Sequence, residues 1–220
     1  MFRIKICGLT NVGDAQAAID AGADALGFNF YRASKRFIDR EVAQQIARRM
    51  PRSVAKVGVF VDHPACDIQD LVEQFELDYI QLHGNEPPRL LAELPGSVRI
   101  VRAYRCGPAG FSPLSSYLDE CSSLGRMPQA ILFDADVSGN FGGTGCTIDW
   151  SQLATQRSAL GDIQIVLAGG LNPTNVNQAI TAAHPDAVDV ASGVELQPGT
   201  KDAALMTQFV SAARAAFDQI

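Results

Sequence analysis

The sequence predicts a closed (β/α)8 TIM barrel, and three observations carry that expectation. Eight short runs rich in Val, Ile and Ala alternate with eight longer amphipathic stretches, and strands that alternate with helices return parallel, because each crossover spends a helix. Strand cores such as Ile131-Leu132-Phe133 are apolar without a break and need cover on both faces. The 220 residues leave about 27 for each unit, and no Pro/Ser-rich linker or shift in composition divides them. Residues 1–220 therefore read as a single domain. Eight repeats favour closure over an open, doubly wound sheet.

The elements follow in order. Phe2–Cys7 sets Ile4 and Ile6 on one face and Arg3, Lys5 and Cys7 on the other, the period of a strand. A helix begins near Val12. The second strand is Ala25–Phe30, after which Asp39 stands as an N-cap before Glu41 and the apolar positions Val42, Ile46 and Met50. Ala55–Val61 is the third strand, with a helix from Pro64. Tyr79–Leu82 is the fourth, and the helix near Glu86 carries Leu90, Leu91 and Leu94, which suit a core or an interface equally. The fifth strand is Ser97–Ala103, with a helix from Ser112. The sixth is Ala130–Phe133, with a helix from Asp149 whose start Trp150 anchors as core. Ile163–Ala168 comes seventh, and Asn172-Pro173 reads as an N-cap followed by Pro at the first helical position. Ala187–Ala191 is the eighth strand, and a last helix begins near Lys201.

Composition bounds the partners. Hydrophobic residues are 47% and charged residues 19%, which excludes a disordered chain. A net charge of -6 gives no basic footprint for nucleic acid or an anionic membrane, so an anionic substrate must be captured by local donors. The longest apolar runs, such as Val57-Gly58-Val59-Phe60-Val61, are too short to span a bilayer, and no secretory signal is visible at the N-terminus. Five cysteines, at 7, 66, 106, 121 and 146, are odd in number and form neither CxxC pairs nor a metal-ligand spacing. They read as reduced thiols of a cytoplasmic protein with no metal. Oligomeric state, monomer or homodimer, is not legible.

In such a barrel the site lies at the C-terminal ends of the strands. Polar and glycine residues collect there: Cys7-Gly8, Asn29, Gln81-Leu82-His83-Gly84, Arg102, Asp134, Gly169-Gly170 and Ser192-Gly193. Three glycine-bearing loops follow the last three strands, Gly142-Gly143-Thr144-Gly145, Ala168-Gly169-Gly170 and Ala191-Ser192-Gly193. Glycine lets backbone N–H groups approach an anion, although it also serves tight turns, and glycines after both of the last two strands match the phosphate site of such barrels. Cys7 ends the polar face of the first strand, either as a small buried hydrophobe or as a thiolate favoured by Lys5. Asp134 follows a buried strand, where partial desolvation suits an acid, or it caps a helix or joins a salt bridge. Asp189, between Val188 and Val190, must be paired or functional. Arg36 is a carboxylate clamp or a solvated loop residue. His83 reads as a supporting residue beside the substrate, not a proton carrier.

Taken together these segments resemble the phosphoribosylanthranilate isomerases, which carry out an Amadori rearrangement in tryptophan biosynthesis. The matching stretches are Lys5-Ile6-Cys7-Gly8-Leu9-Thr10, Ala21-Gly22-Ala23-Asp24-Ala25-Leu26-Gly27-Phe28, Val57-Gly58-Val59-Phe60-Val61 and Gln81-Leu82-His83-Gly84. Further along come Leu132-Phe133-Asp134, Gly142-Gly143-Thr144-Gly145, Asp149-Trp150 and Ala168-Gly169-Gly170-Leu171-Asn172-Pro173. The last two are Val188-Asp189-Val190-Ala191-Ser192-Gly193-Val194-Glu195 and Pro198-Gly199-Thr200-Lys201-Asp202. They stand in family order over nearly the whole chain. The resemblance implies that Cys7 is the general base, Asp134 the general acid, and Arg36 the holder of the anthranilate carboxylate. It implies phosphate loops at Gly169, Gly170, Ser192 and Gly193, with Gly143, His83 and Asp189 counted among the substrate contacts. It also implies a small phosphorylated substrate and no cofactor. Ala191 stands where the family usually has Ser, Cys146 replaces a more usual polar residue, and Arg102 stands where Lys is common.

Two other readings compete. The related aminoimidazole-carboxamide ribotide isomerase carries an aspartate where this chain has Cys7. A non-catalytic barrel for a phosphorylated ligand has no reason to keep Cys7 and Asp134 together.

Overall fold

The computed structural model describes residues 1–105, 110–134 and 150–220. The expected glycine run 142–145, with Gly143, Cys146 and the rest of 135–149, lies outside the described residues, as does Cys106.

Eight parallel strands close on themselves in chain order. They are β1 (Ile4–Cys7), β2 (Ala25–Asn29), β3 (Ala55–Phe60), β4 (Tyr79–Leu82), β5 (Arg99–Tyr104), β6 (Ala130–Asp134), β7 (Gln164–Ala168) and β8 (Ala187–Val190). The helices between and after them are α1 (Val12–Asp20), α2 (Arg40–Ala47), α3 (Ala65–Phe75), α4 (Pro88–Glu93), α5 (Ser112–Ser123), α6 (Trp150–Leu160), α7 (Val176–Ala183) and α8 (Ala203–Phe217). A 3-10 turn, Ser192–Val194, leads into the small antiparallel pair β9 (Glu195–Gln197) and β10 (Thr200–Lys201). The eight-unit expectation is met, with strand ends within two residues of the sequence reading. No helix among the described residues is long and apolar enough to cross a membrane.

The two faces of the strands bury different things. Outward residues such as Ile4, Ile6, Phe28, Phe60, Ile131 and Phe133 pack against the helices, and Leu91 and Leu94 join that layer as core. Inward residues form a second, smaller cluster: Ala25, Val57, Tyr79, Val101, Ala103, Leu132, Val166 and Ala187 among them. The apolar strands are therefore covered on both sides, as a parallel sheet requires. Trp150 opens α6 and packs on the outer layer.

Helix starts follow local chemistry. Asp39 accepts from Glu41 N at 3.0 Å, and Asn11 and Asp202 cap α1 and α8 in the same way. The expected cap at Asn172 is corrected. Asn172 Oδ1 accepts from Thr174 N at 2.9 Å in a turn over 173–175, and α7 begins only at Val176. An Asx turn competes here with helix capping.

The N-terminal rim carries a repeated clasp. The residue before each even-numbered strand bonds twice to one residue of the strand before it. Asp24 donates from its N–H to Ile4 O, and its carboxylate accepts from Ile4 N at 2.9 Å. Asp78 treats Lys56 alike, Gln129 treats Ile100 alike, and Asp186 treats Ile165 alike. These bonds satisfy strand-end N–H groups that no ladder reaches. Asp186 also pairs with Arg157. Burial works to raise the Asp186 pKa, but Arg157 and the Ile165 N–H outweigh it and hold the carboxyl below its ordinary value. Asp186→Ala is expected to lower stability by about 1–2 kcal/mol, read as a shift of the urea midpoint at unchanged m. Because the folded pKa is the lower one, the ionic share is present above the ordinary carboxylate range and is lost as pH falls through the folded value.

Candidate active site

The site is built on inward positions at the C-terminal ends of the strands. Cys7 is the last residue of β1, buried at 8% exposure. Beneath it on the same face lies Lys5, fully buried, whose Nζ donates to Asp189 Oδ1 at 2.9 Å. Register explains the pairing, since Lys5 stands beside Asp189 where β1 closes on β8. The carboxylate that had to be paired or functional is thus paired. Burial works against the Lys5 charge, but Asp189 and Cys7 outweigh it and its pKa is raised.

Of the two readings left open for Cys7, its surroundings favour the small buried side chain at rest. Burial pushes the thiol up, Lys5 opposes this, Asp189 adds to it, and the pKa lies above the ordinary thiol value. The resting side chain is the thiol. Cys7, Cys66 and Cys121 are free thiols among the described residues.

Gly27 makes room for this group. A Cβ there would lie 2.7 Å from Cys7 Sγ and 3.1 Å from Lys5 Cε. Gly27→Ala is expected to displace the sulfur and reduce kcat about 10- to 100-fold, because misplacement by an ångström is costly in a near-attack geometry. Single-turnover rates on folded protein check this, and an unchanged rate would show that Cys7 need not sit where it does.

Across the barrel, Asp134 ends β6, three strands round the ring from β1 through β7 and β8. Its side chain is 22% exposed, and Oδ2 lies 3.5 Å from His83 Nε2. Gln81, buried at 1%, donates from Nε2 to His83 Nδ1 at 2.9 Å. That bond fixes Nε2 as the proton-bearing nitrogen, facing Asp134. His83 is thus a supporting residue beside the acid, held from below.

The loops after β7 and β8 meet. Gly169 and Gly170 take φ of 80° and 64°, a region other residues avoid. The Gly170 carbonyl accepts from Asn175 Nδ2 at 3.0 Å. A Cβ on Gly193 would stand 1.8 Å from Leu171 O, so only glycine lets the Ser192–Val194 turn lie against the β7 loop. Ser192 is exposed at the start of that turn.

Arg36 is no solvated loop residue. Its Nε and Nη2 donate to the two carboxylate oxygens of Glu195, both at 2.8 Å. Sequence reasoning missed Glu195 and its second partner Lys201, as it missed the pair formed by Glu86 and Arg102. Arg102, counted among the residues at the mouth, points outward instead. It donates to Glu86 and to the carbonyls of Leu82 and Gly84, bracing the loop that carries His83. An acid near each loop start, Glu86 and Glu195, was the available signal.

Comparison with known proteins decides the family. The model of the family "N-(5'phosphoribosyl)anthranilate (PRA) isomerase" matches residues 4–212. The chain belongs to that family. An N-(5'-phosphoribosyl)anthranilate isomerase of Geobacter sp. (strain M21) is 41% identical, covering 97% of this chain and 98% of the relative. The crystal structure of the Thermotoga maritima isomerase has a TM-score of 0.84 at 38% identity, covering 98% of this chain and 100% of that one. A phosphoribosyl anthranilate isomerase in complex with reduced 1-(o-carboxyphenylamino)-1-deoxyribulose 5-phosphate has a TM-score of 0.82 at 36% identity, with 98% and 100% covered. As a phosphoribosylanthranilate isomerase, the chain converts N-(5-phosphoribosyl)anthranilate to 1-(2-carboxyphenylamino)-1-deoxyribulose 5-phosphate, an aldose–ketose rearrangement of tryptophan biosynthesis. Its substrate is a small phosphorylated molecule.

Proposed function

We propose that Cys7 is the general base and Asp134 the general acid of this isomerisation. The observation that carries the reading is their placement, on inward strand ends three strands apart around one closed ring. A sugar laid across the mouth meets the two groups from different sides. Asp134 protonates the furanose ring oxygen, and the ring opens to a Schiff base. Cys7, as thiolate, then takes the proton from C2 and leaves an enolamine, which tautomerises to the ketose. Atoms and electrons balance within the substrate, and solvent returns the two side chains to their starting states.

Binding fixes the two anionic ends. Arg36 holds the anthranilate carboxylate, and Gly169, Gly170, Ser192 and Gly193 hold the phosphate, with Gly143 of the 142–145 run as a further contact. His83 supports Asp134 at the substrate, and Asp189 keeps Lys5 compensated beneath Cys7. Fixing both ends converts binding energy into orientation at C2. Residues 1–220 form one isomerase domain that works in the cytoplasm as a monomer or homodimer, without a cofactor.

The decisive measurement follows the loss of substrate fluorescence on addition of the protein. Rapid loss is the expected result. No turnover by a folded protein that binds phosphate would overturn the reading.

A further inference from the structure

The Arg36 guanidinium is oriented by the protein on two sides. Its Nε/Nη2 edge is matched fork to fork with Glu195 across 159 residues of chain, a geometry that fixes both plane and direction. Its stem lies on the backbone beside Cys7, since a Cβ on Gly8 would stand 2.6 Å from Arg36 Cδ. The Glu195 side chain is 4% exposed, and Oε1 also accepts from Lys201 Nζ at 2.7 Å. Lys201, with a fully buried side chain, donates as well to Ala191 O at 2.9 Å. Ala191 is the residue from which the Ser192–Val194 turn starts. Burial works to raise the Glu195 pKa, but Arg36 and Lys201 outweigh it and keep it a carboxylate. A cluster like this is costly to desolvate, and an arginine needed only for solubility requires none of it.

We propose that Glu195 is a positioning residue for the isomerisation: by gripping the Nε/Nη2 edge of Arg36 it aims the guanidinium at the substrate carboxylate, and through Lys201 it ties that aim to the loop beginning at Ala191. The proposal rests on the reading of Arg36 given above. One rigid element thereby sets the spacing between the carboxylate and phosphate ends before substrate arrives. Specificity for a carboxylated aromatic amine is a property of the Arg36–Glu195–Lys201 unit, not of Arg36 alone.

The test compares two probes, reduced 1-(o-carboxyphenylamino)-1-deoxyribulose 5-phosphate and the same molecule without its carboxyl group. The readout is the ratio of their inhibition constants, which a general loss of stability or of phosphate binding leaves unmoved. In Glu195→Gln the preference for the carboxylated probe is expected to fall about 10- to 100-fold, the worth of one or two charge-assisted hydrogen bonds. Glu195→Asp, charged but too short for the fork, is expected to fall alike. Combining Glu195→Gln with Arg36→Met is expected to change the ratio no further than Arg36→Met alone. Lys201→Met leaves the fork in place and should show the same loss in smaller measure, which keeps the test open if the Glu195 variants do not fold.

An unchanged ratio in Glu195→Gln, or a higher one because Arg36 has been released to bind more tightly, overturns the proposal. If Arg36→Met itself leaves the ratio unchanged, the carboxylate reading of Arg36 fails and takes the proposal with it.

Discussion

Cys7→Ala is expected to reduce kcat/KM for phosphoribosylanthranilate by about 10²- to 10⁴-fold, the usual worth of a positioned general base. Fluorescence decay at equal folded concentration measures it. The fold should survive, because the side chain lost is small and the Lys5–Asp189 pair beneath it stays intact. The pH profile carries a sharper expectation. The Cys7 pKa is raised by burial, so the thiolate fraction grows as pH rises toward that raised value. The residual rate of Cys7→Ala is expected to lack the contribution that follows this fraction. Wild-type activity at full strength in Cys7→Ala removes the base assignment.

Asp134→Asn should cost about 10²- to 10⁴-fold as well, and its residual profile should report on the base. With the acid gone, only the thiolate fraction remains, so the residual rate should climb about tenfold per pH unit up to the raised Cys7 pKa. Stopped-flow fluorescence from pH 6 to 9 reads that slope. A flat residual profile would mean that Cys7 does not act as a thiolate. Full activity in the variant would mean that Asp134 is not the acid.

The architecture was largely legible, because period and burial speak locally. Alternation along Phe2–Cys7 set Lys5 and Cys7 on one face, and the structure keeps them there. What the sequence could not show were the partners. Lys5 meets Asp189 only because the barrel closes in one register, 184 residues apart. Arg36 meets Glu195 across 159 residues of chain for a similar reason, and nothing at either position names the other. Arg102 misled because its position at a strand end suggested the mouth, whereas strand parity turns it outward over the Tyr117 ring. Asn172-Pro173 misled because an Asx turn and a helix cap use the same residue types.

The clasps on the N-terminal rim divide the ring into couples: first strand with second, third with fourth, fifth with sixth, seventh with eighth. Among the described residues each couple carries this clasp at the rim, whereas the borders between couples are crossed by other bonds, such as Lys5 to Asp189 between the last strand and the first and Arg102 to the Leu82 carbonyl between the fourth and the fifth. The chain is thus quartered, and its tolerance to cutting differs from joint to joint. A break between α4 and β5, near 95–98, leaves every clasp inside one fragment or the other, so the two pieces can each arrive with their stitching complete. A break between α5 and β6, near 124–128, parts Gln129 from Ile100 and leaves both fragments with a loose thread.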